Sequence, residues 1–117
     1  MGDYVLAHDL GTTGNKATLY DAQGSLVSSA FYPYATDYPH TSWAEQSPED
    51  WWRAVCTSTR RLLSQSSTPG SAVACITFSG QMMGCVPLDR DARPLRSAII
   101  WADQRAVVQT QWVGERV

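Results

Sequence analysis

Hydrophobic and polar positions alternate along this chain in short blocks, and the blocks change period at residue 47. Tyr4 to Asp9 begins as a near-continuous apolar run of strand length and predicts a buried strand. Asn15 to Tyr20 predicts a second strand. Asp21-Ala22-Gln23-Gly24 reads as a hairpin turn with Gly24 in the left-handed region. Ser25 to Tyr34 alternates as a third strand, with Leu26, Ser28, Ala30 and Tyr32 on one face. Ala35 to Gln46 is a loop. Ser47-Pro48-Glu49-Asp50 then has the order of a helix start: an N-cap hydroxyl, a proline at the first helical position and two acids at the positive end of the dipole. Trp52, Val55, Cys56, Leu62 and Leu63 fall on a helical stripe with Thr59 between them, and the helix is expected to end near Ser64. Trp51 and Trp52 are expected to pack it on the sheet.

Ala72 to Phe78 is again a continuous apolar run and predicts a buried strand. A helix lies between it and the early strands, so it is expected to join parallel to the first strand. Ser79 to Gly84 is a loop at its carboxyl end. Cys85 to Leu88 is a further short strand, Asp89 to Pro94 a solvated polar turn, and Asp103-Gln104-Arg105 opens a last helical stretch. The order β-β-β-α-β, three antiparallel strands and then a parallel one, is that of a ribonuclease-H-like (actin-like ATPase) domain. The expected fold class is therefore α/β with a mixed sheet.

Composition narrows the picture. The chain has 117 residues, 44% apolar and 17% charged, which suits one small globular domain. A net charge of −2 gives no reason to expect nucleic acid or an anionic membrane as partner. No apolar run reaches the length of a membrane span, and no basic segment followed by an apolar core opens the chain, so the cytoplasm is the expected location. Cys56, Cys75 and Cys85 are odd in number and lack metal-ligand spacing; they are read as buried thiols in a reducing compartment. Among nine basic residues Lys16 is the one lysine.

That lysine sits in the segment with the most chemistry, Asp9-Leu10-Gly11-Thr12-Thr13-Gly14-Asn15-Lys16. Gly11 and Gly14 allow positive φ and close backbone approach to a ligand. Thr12 and Thr13 add hydroxyls beside free N–H groups, Lys16 adds a cation, and Asp9 stands at the strand end as a metal-facing carboxylate. The same residues equally suit an ordinary Gly-Thr hairpin. His8, just before Asp9, is read as a core histidine satisfied by a neighbour.

Asp-x-Gly-Thr-Thr after a buried strand resembles the first phosphate motif of the sugar kinase, heat-shock ATPase and actin superfamily. Trp43-Ala44-Glu45-Gln46-Ser47-Pro48-Glu49-Asp50-Trp51-Trp52 resembles the W-x-E-Q-x-P-x-x-W-W segment of the FGGY carbohydrate kinases. Ser79 to Gly84 is similar to the G-Q-M-H-G loop of the xylulose kinases among them, and Ile100 to Arg105 to their W-x-D-x-R segment. The resemblance runs in order from residue 4 to about residue 106.

It implies ATP and Mg²⁺ as cofactors and a small sugar as substrate. Thr12, Thr13, Gly14 and Lys16 would approach the phosphates, and Asp9 would hold Mg²⁺ through water. Gln81, Met82 and Met83 would form the sugar loop, with Trp101, Asp103 and Arg105 lining the same pocket. Met83 departs from the family, where xylulose kinases often carry a histidine able to hydrogen-bond a sugar hydroxyl. That departure points to another ketose or polyol, while the resemblance itself implies xylulose, so the expected substrate is xylulose or a related ketose or polyol. Family members are several times longer, so residues 1–117 are expected to be the first part of the N-terminal domain. The general base, the adenine site and the C-terminal ATP-binding domain would then lie elsewhere, and this part alone would be inactive. A homodimer of the full-length protein is also expected. Two other classes stay open: an actin- or heat-shock-type ATPase, which shares the first motif but not the sugar loop, and a non-catalytic sugar- or partner-binding module.

Overall fold

A computed structural model describes residues 3–117. The described residues pack as two compact units, 3–35 with 49–81 and 36–48 with 82–117. Residues 1 and 2, where the expected domain begins, lie outside the described residues.

The first unit is a four-stranded sheet of order β3-β2-β1-β5 with a helix across one face. Its strands are β1 (Tyr4–Leu10), β2 (Gly14–Tyr20), β3 (Leu26–Pro33) and β5 (Val73–Gly80), and its helix is α1 (Pro48–Ser66). β4 (Glu45–Gln46) belongs to the second unit. β1 and β2 are antiparallel, as are β2 and β3, and β5 runs parallel to β1, all as expected. Alternation puts Leu6, Ala17, Leu19 and Ala30 on the inner face, where they meet Leu62 in the core. Gly24 does take a left-handed φ of 81°, closing the β2–β3 hairpin.

Three expectations about burial fail here, each for a geometric reason. β5 is exposed: it is an edge strand, as β3 is, and although Ile76 and Phe78 pair beside the inward-facing Leu6 and His8, both stay more than half exposed. Cys75 on that edge, and Cys85 in the other unit, are accordingly exposed, and Cys56 is half-buried; all three thiols are free. Within α1 the buried residues are Ala54, Val55, Ser58 and Leu62, one row of successive turns. Trp52 stands off that row and is 66% exposed, so it does not pack the helix on the sheet.

The second unit has little regular structure. β4, inside the segment expected to be a loop, pairs antiparallel with β6 (Ala98–Ile99). The strand expected at Cys85 to Leu88 is reduced to two isolated bridges, Cys85 with Ile99 and Leu88 with Pro94. Asp89 Oδ1 accepts from the N–H groups of Asp91 and Arg93, the solvated turn read from sequence. The last helix, α2 (Val107–Gly114), starts later than expected and buries none of its residues.

Candidate functional site

In the first unit the candidate phosphate turn is the link between β1 and β2. Asp9 and Lys16 are cross-strand partners and both are exposed. They line a shallow concavity of about 340 Å³ on the sheet face away from α1, together with Thr77 and Ser79 of β5. The last two were not singled out in the sequence. The parallel pairing of Ala7 with Thr77 and Asp9 with Ser79 is what brings them there, and alternation along β5 was the available signal.

Neither Gly11 nor Gly14 uses the positive φ that glycine allows. Gly14 is required for another reason: a Cβ there would come within 2.6 Å of the Tyr32 carbonyl oxygen on β3. The turn is closed by Gly11 N–H donating to the Gly14 carbonyl at 3.0 Å. Tyr34, which follows β3, clamps it twice. Its N–H donates to the Thr13 carbonyl at 3.3 Å, and its hydroxyl donates to the Gly11 carbonyl. Burial, aided by the charge of Asp9, pushes the Tyr34 phenol up to about 12, so it stays a donor at neutral pH. A polar tip at the end of an alternating strand, opposite a turn, was the one sequence hint of this role.

Beneath the turn, His8 and Asn15 point toward α1. Asn15 Nδ2 donates to His8 Nδ1 at 2.9 Å and to Ser58 Oγ at 2.8 Å. The other ring nitrogen, Nε2, lies 3.2 Å from Thr59 Oγ1, and Phe78 stacks on the ring. His8 is thus the satisfied core histidine read from sequence. Burial pushes its pKa below the ordinary value, with the Asn15 bond pulling the other way.

The sugar-loop residues divide between the units. Gln81 closes the first, its N–H donating to the Leu10 carbonyl at 2.8 Å, one residue before the turn. Met82 and Met83 begin the second and are exposed, and Met83 has a left-handed φ of 62°. Cys85 exchanges backbone hydrogen bonds with Ile99, so the residues after Met83 run beside the segment that enters Trp101. Trp101 is about half exposed.

Asp103 and Arg105 are committed to protein partners. The Asp103 carboxylate accepts from Ala44 N–H at 2.7 Å and from Arg105, whose backbone and guanidinium both donate to it. Arg105 also donates to Glu45 at 2.7 Å and lies over the Trp43 ring, 3.7 Å from its centroid. The guanidinium beside it holds the Asp103 carboxyl well below the usual carboxylate range and is itself pushed up. Arg96 adds a second ion pair to Glu45. Glu45 and Arg96, 51 residues apart, carry no spacing signal that would link them in sequence.

Among the described residues no group of three or more His, Cys, Asp or Glu could hold a metal ion. No helix among them is long and apolar enough to cross a membrane.

Residues 4–115 match the profile of the FGGY family of carbohydrate kinases, N-terminal domain. The chain is 38% identical to a xylulose kinase of Klebsiella pneumoniae over 109 residues, 93% of this chain and 22% of that one. It is 34% identical to a glycerol kinase of Rippkaea orientalis over 103 residues, 87% of this chain and 21% of the relative. The crystal structure of a xyloylose kinase from Brucella ovis superposes with a TM-score of 0.92 at 34% identity, over 97% of this chain and 24% of that one. The chain therefore spans about a fifth of the length of the curated relatives it matches.

Proposed function

The chain belongs to the FGGY family of carbohydrate kinases, and from that premise we propose that the protein carrying it moves the γ-phosphoryl group of ATP onto a hydroxyl of a small sugar, a linear ketose of the xylulose type. The observation that carries this reading is the cross-strand pair Asp9 and Lys16 on an open sheet face, beside a turn whose carbonyls are tied back by Tyr34. In this reading Thr12 and Thr13 supply the turn's chemistry toward phosphate, with Lys16 as its cation.

In this reaction the sugar oxygen bonds to the γ-phosphorus, the bond from phosphorus to the β,γ-bridging oxygen breaks, and the hydroxyl proton passes to a general base. That base lies outside this chain in our reading. A single carboxylate suits Mg²⁺, which keeps most of its waters and takes its other ligands from the phosphates. Asp9 would hold it, and it would neutralise charge on the β- and γ-oxygens.

For the sugar, Gln81 offers a donor and an acceptor, and Trp101 an apolar face with an N–H at its edge. Asp103 and Arg105 serve in our reading by fixing the segment that presents Trp101 rather than by touching sugar. A linear ketose is favoured over glycerol by the likeness of the 79–84 loop to xylulose kinases, with Met83 as the departure.

The test is ATP-dependent phosphorylation across ketoses and polyols by the protein that carries this chain. Xylulose or a close relative should be turned over best, and Met83→His should shift preference further toward xylulose. Asp9→Asn should lower turnover about a hundredfold or more while the melting temperature stays within a few degrees. Full turnover by Asp9→Asn, or equal rates across the panel for both loop versions, would sink this reading.

A further inference from the structure

The polar cluster under the turn is costly for a core and is not needed to fill space. His8 is 2% exposed, Asn15 0% and Ser58 1%, on a face otherwise made of Leu6, Ala17, Leu19, Ala30 and Leu62. Asn15 Oδ1 is buried with no hydrogen-bond partner among the described residues. An apolar side chain at 15 would avoid that orphan acceptor, whose desolvation is uncompensated. Local rules broken in an otherwise regular core mark places where another demand has set the residue.

The position says which demand. His8 adjoins Asp9, and Asn15 lies between Gly14 and Lys16. Side chains alternate along a strand, so holding His8 and Asn15 against α1 holds Asp9 and Lys16 on the opposite face. A slip of one residue in either strand would turn that strand's pair of residues over to the wrong faces. The bonds run from β1 and β2 to adjacent residues of one helix: Asn15 to Ser58, whose hydroxyl is spent on the Ala54 carbonyl at 2.7 Å, and His8 to Thr59. Nonpolar packing can slide along a helix, whereas directed hydrogen bonds on both strands cannot.

We propose that His8 and Asn15 are positioning residues which bolt both strands of the phosphate turn to α1 and so fix where Asp9 and Lys16 meet the nucleotide. The proposal rests on the kinase reading for its ligand, but the bolt itself has a readout that needs no activity.

The experiment compares wild type, His8→Leu, Asn15→Leu, the double variant and the milder Thr59→Val in the protein that carries this chain. It reads melting temperature, the KM values for ATP and for the best sugar of the panel, and amide hydrogen exchange of residues 11–14. The double variant removes the orphan acceptor and should melt at or above wild type. It should nonetheless raise the ATP KM about tenfold, leave the sugar KM within about twofold, and speed exchange at residues 11–14 about tenfold. Thr59→Val should move the same readouts about threefold.

A double variant with wild-type ATP KM and wild-type exchange overturns the proposal, because the cluster is then packing and nothing more. If the double variant does not fold, unchanged ATP KM and exchange in Thr59→Val overturn it equally. If wild type phosphorylates no sugar at all, the kinase reading falls. Exchange then decides the bolt alone: faster turn amides in the variants uphold it, and wild-type rates reject it.

Discussion

In the first unit the candidate turn hangs between strands of seven residues, anchored below by neutral hydrogen bonds to α1 and above by Tyr34. In the second, two-residue strands leave the Trp101 segment to be held by charge: Asp103 on Ala44 N–H, and Arg105 between Asp103, Glu45 and the Trp43 ring. Where a backbone ladder exists, side chains have only to choose its face and register. Where it is nearly absent, a forked guanidinium does the joining, since it alone offers several donors in fixed directions. Such ion pairs add little net stability, but losing one member strands the others.

The contrast can be broken or sharpened by substitution. The largest expected effect is in the apolar core. Leu62→Ala should cost about 2–5 kcal/mol, since Leu62 is fully buried against four sheet residues, and a urea melt measures it. Gly14→Ala should cost less, about 1–3 kcal/mol, because the backbone of β3 must shift to admit a methyl group; the same melt would show it. A wild-type midpoint would mean that β3 is not seated as described.

Arg105→Lys tests the second unit. It keeps the charge and loses the fork, so exchange of the Ala44 and Asp103 amides should quicken about tenfold. If lysine serves as well as arginine, charge alone holds the segment and the contrast is weaker than drawn.

The smallest effect separates the units by pH. The folded pKa of His8 lies below its unfolded value, so stability is full above about 6.5 and is lost as pH falls from there toward the folded pKa. Asp103 is also depressed, but as an acid. Its contribution is present above the unfolded value near 3.9 and is lost only below it. Between pH 6.5 and 5 the amides under the turn should therefore exchange faster after correction for intrinsic rates, while those of residues 44 and 103 should not. His8→Leu should abolish the difference.

The same contrast explains what could be read in advance. Strands β1 to β3, the start of α1 and the parallel β5 follow from period, caps and connection length, all local signals. The exposure of β5 does not, because an apolar run says that a strand wants cover and not on which side the chain supplies it. Trp52 joined the predicted stripe by hydrophobicity alone, while the buried row of α1 includes Ser58, a serine chosen by Asn15 across 43 residues. The pairing of Glu45 with Arg96 and Arg105 is likewise a fact of three dimensions. The motif residues Asp9 and Lys16 were legible as candidates because they are neighbours in sequence as well as in space. Tyr34, Thr77 and Ser79 were not, since Tyr34 comes from the end of β3 and the other two from β5, both far from the motif in sequence.

Met83 keeps a left-handed backbone at φ 62° with a side chain that is 85% exposed. For an L-residue other than glycine or asparagine this costs about 1–2 kcal/mol, and nothing around the side chain needs it to be methionine. Histidine, like asparagine, is several times more frequent in this conformation than bulky residues are. For a lineage under selection, position 83 is therefore open ground. Its side chain can drift from thioether to imidazole or amide without loss of folding stability and before any compensating change elsewhere.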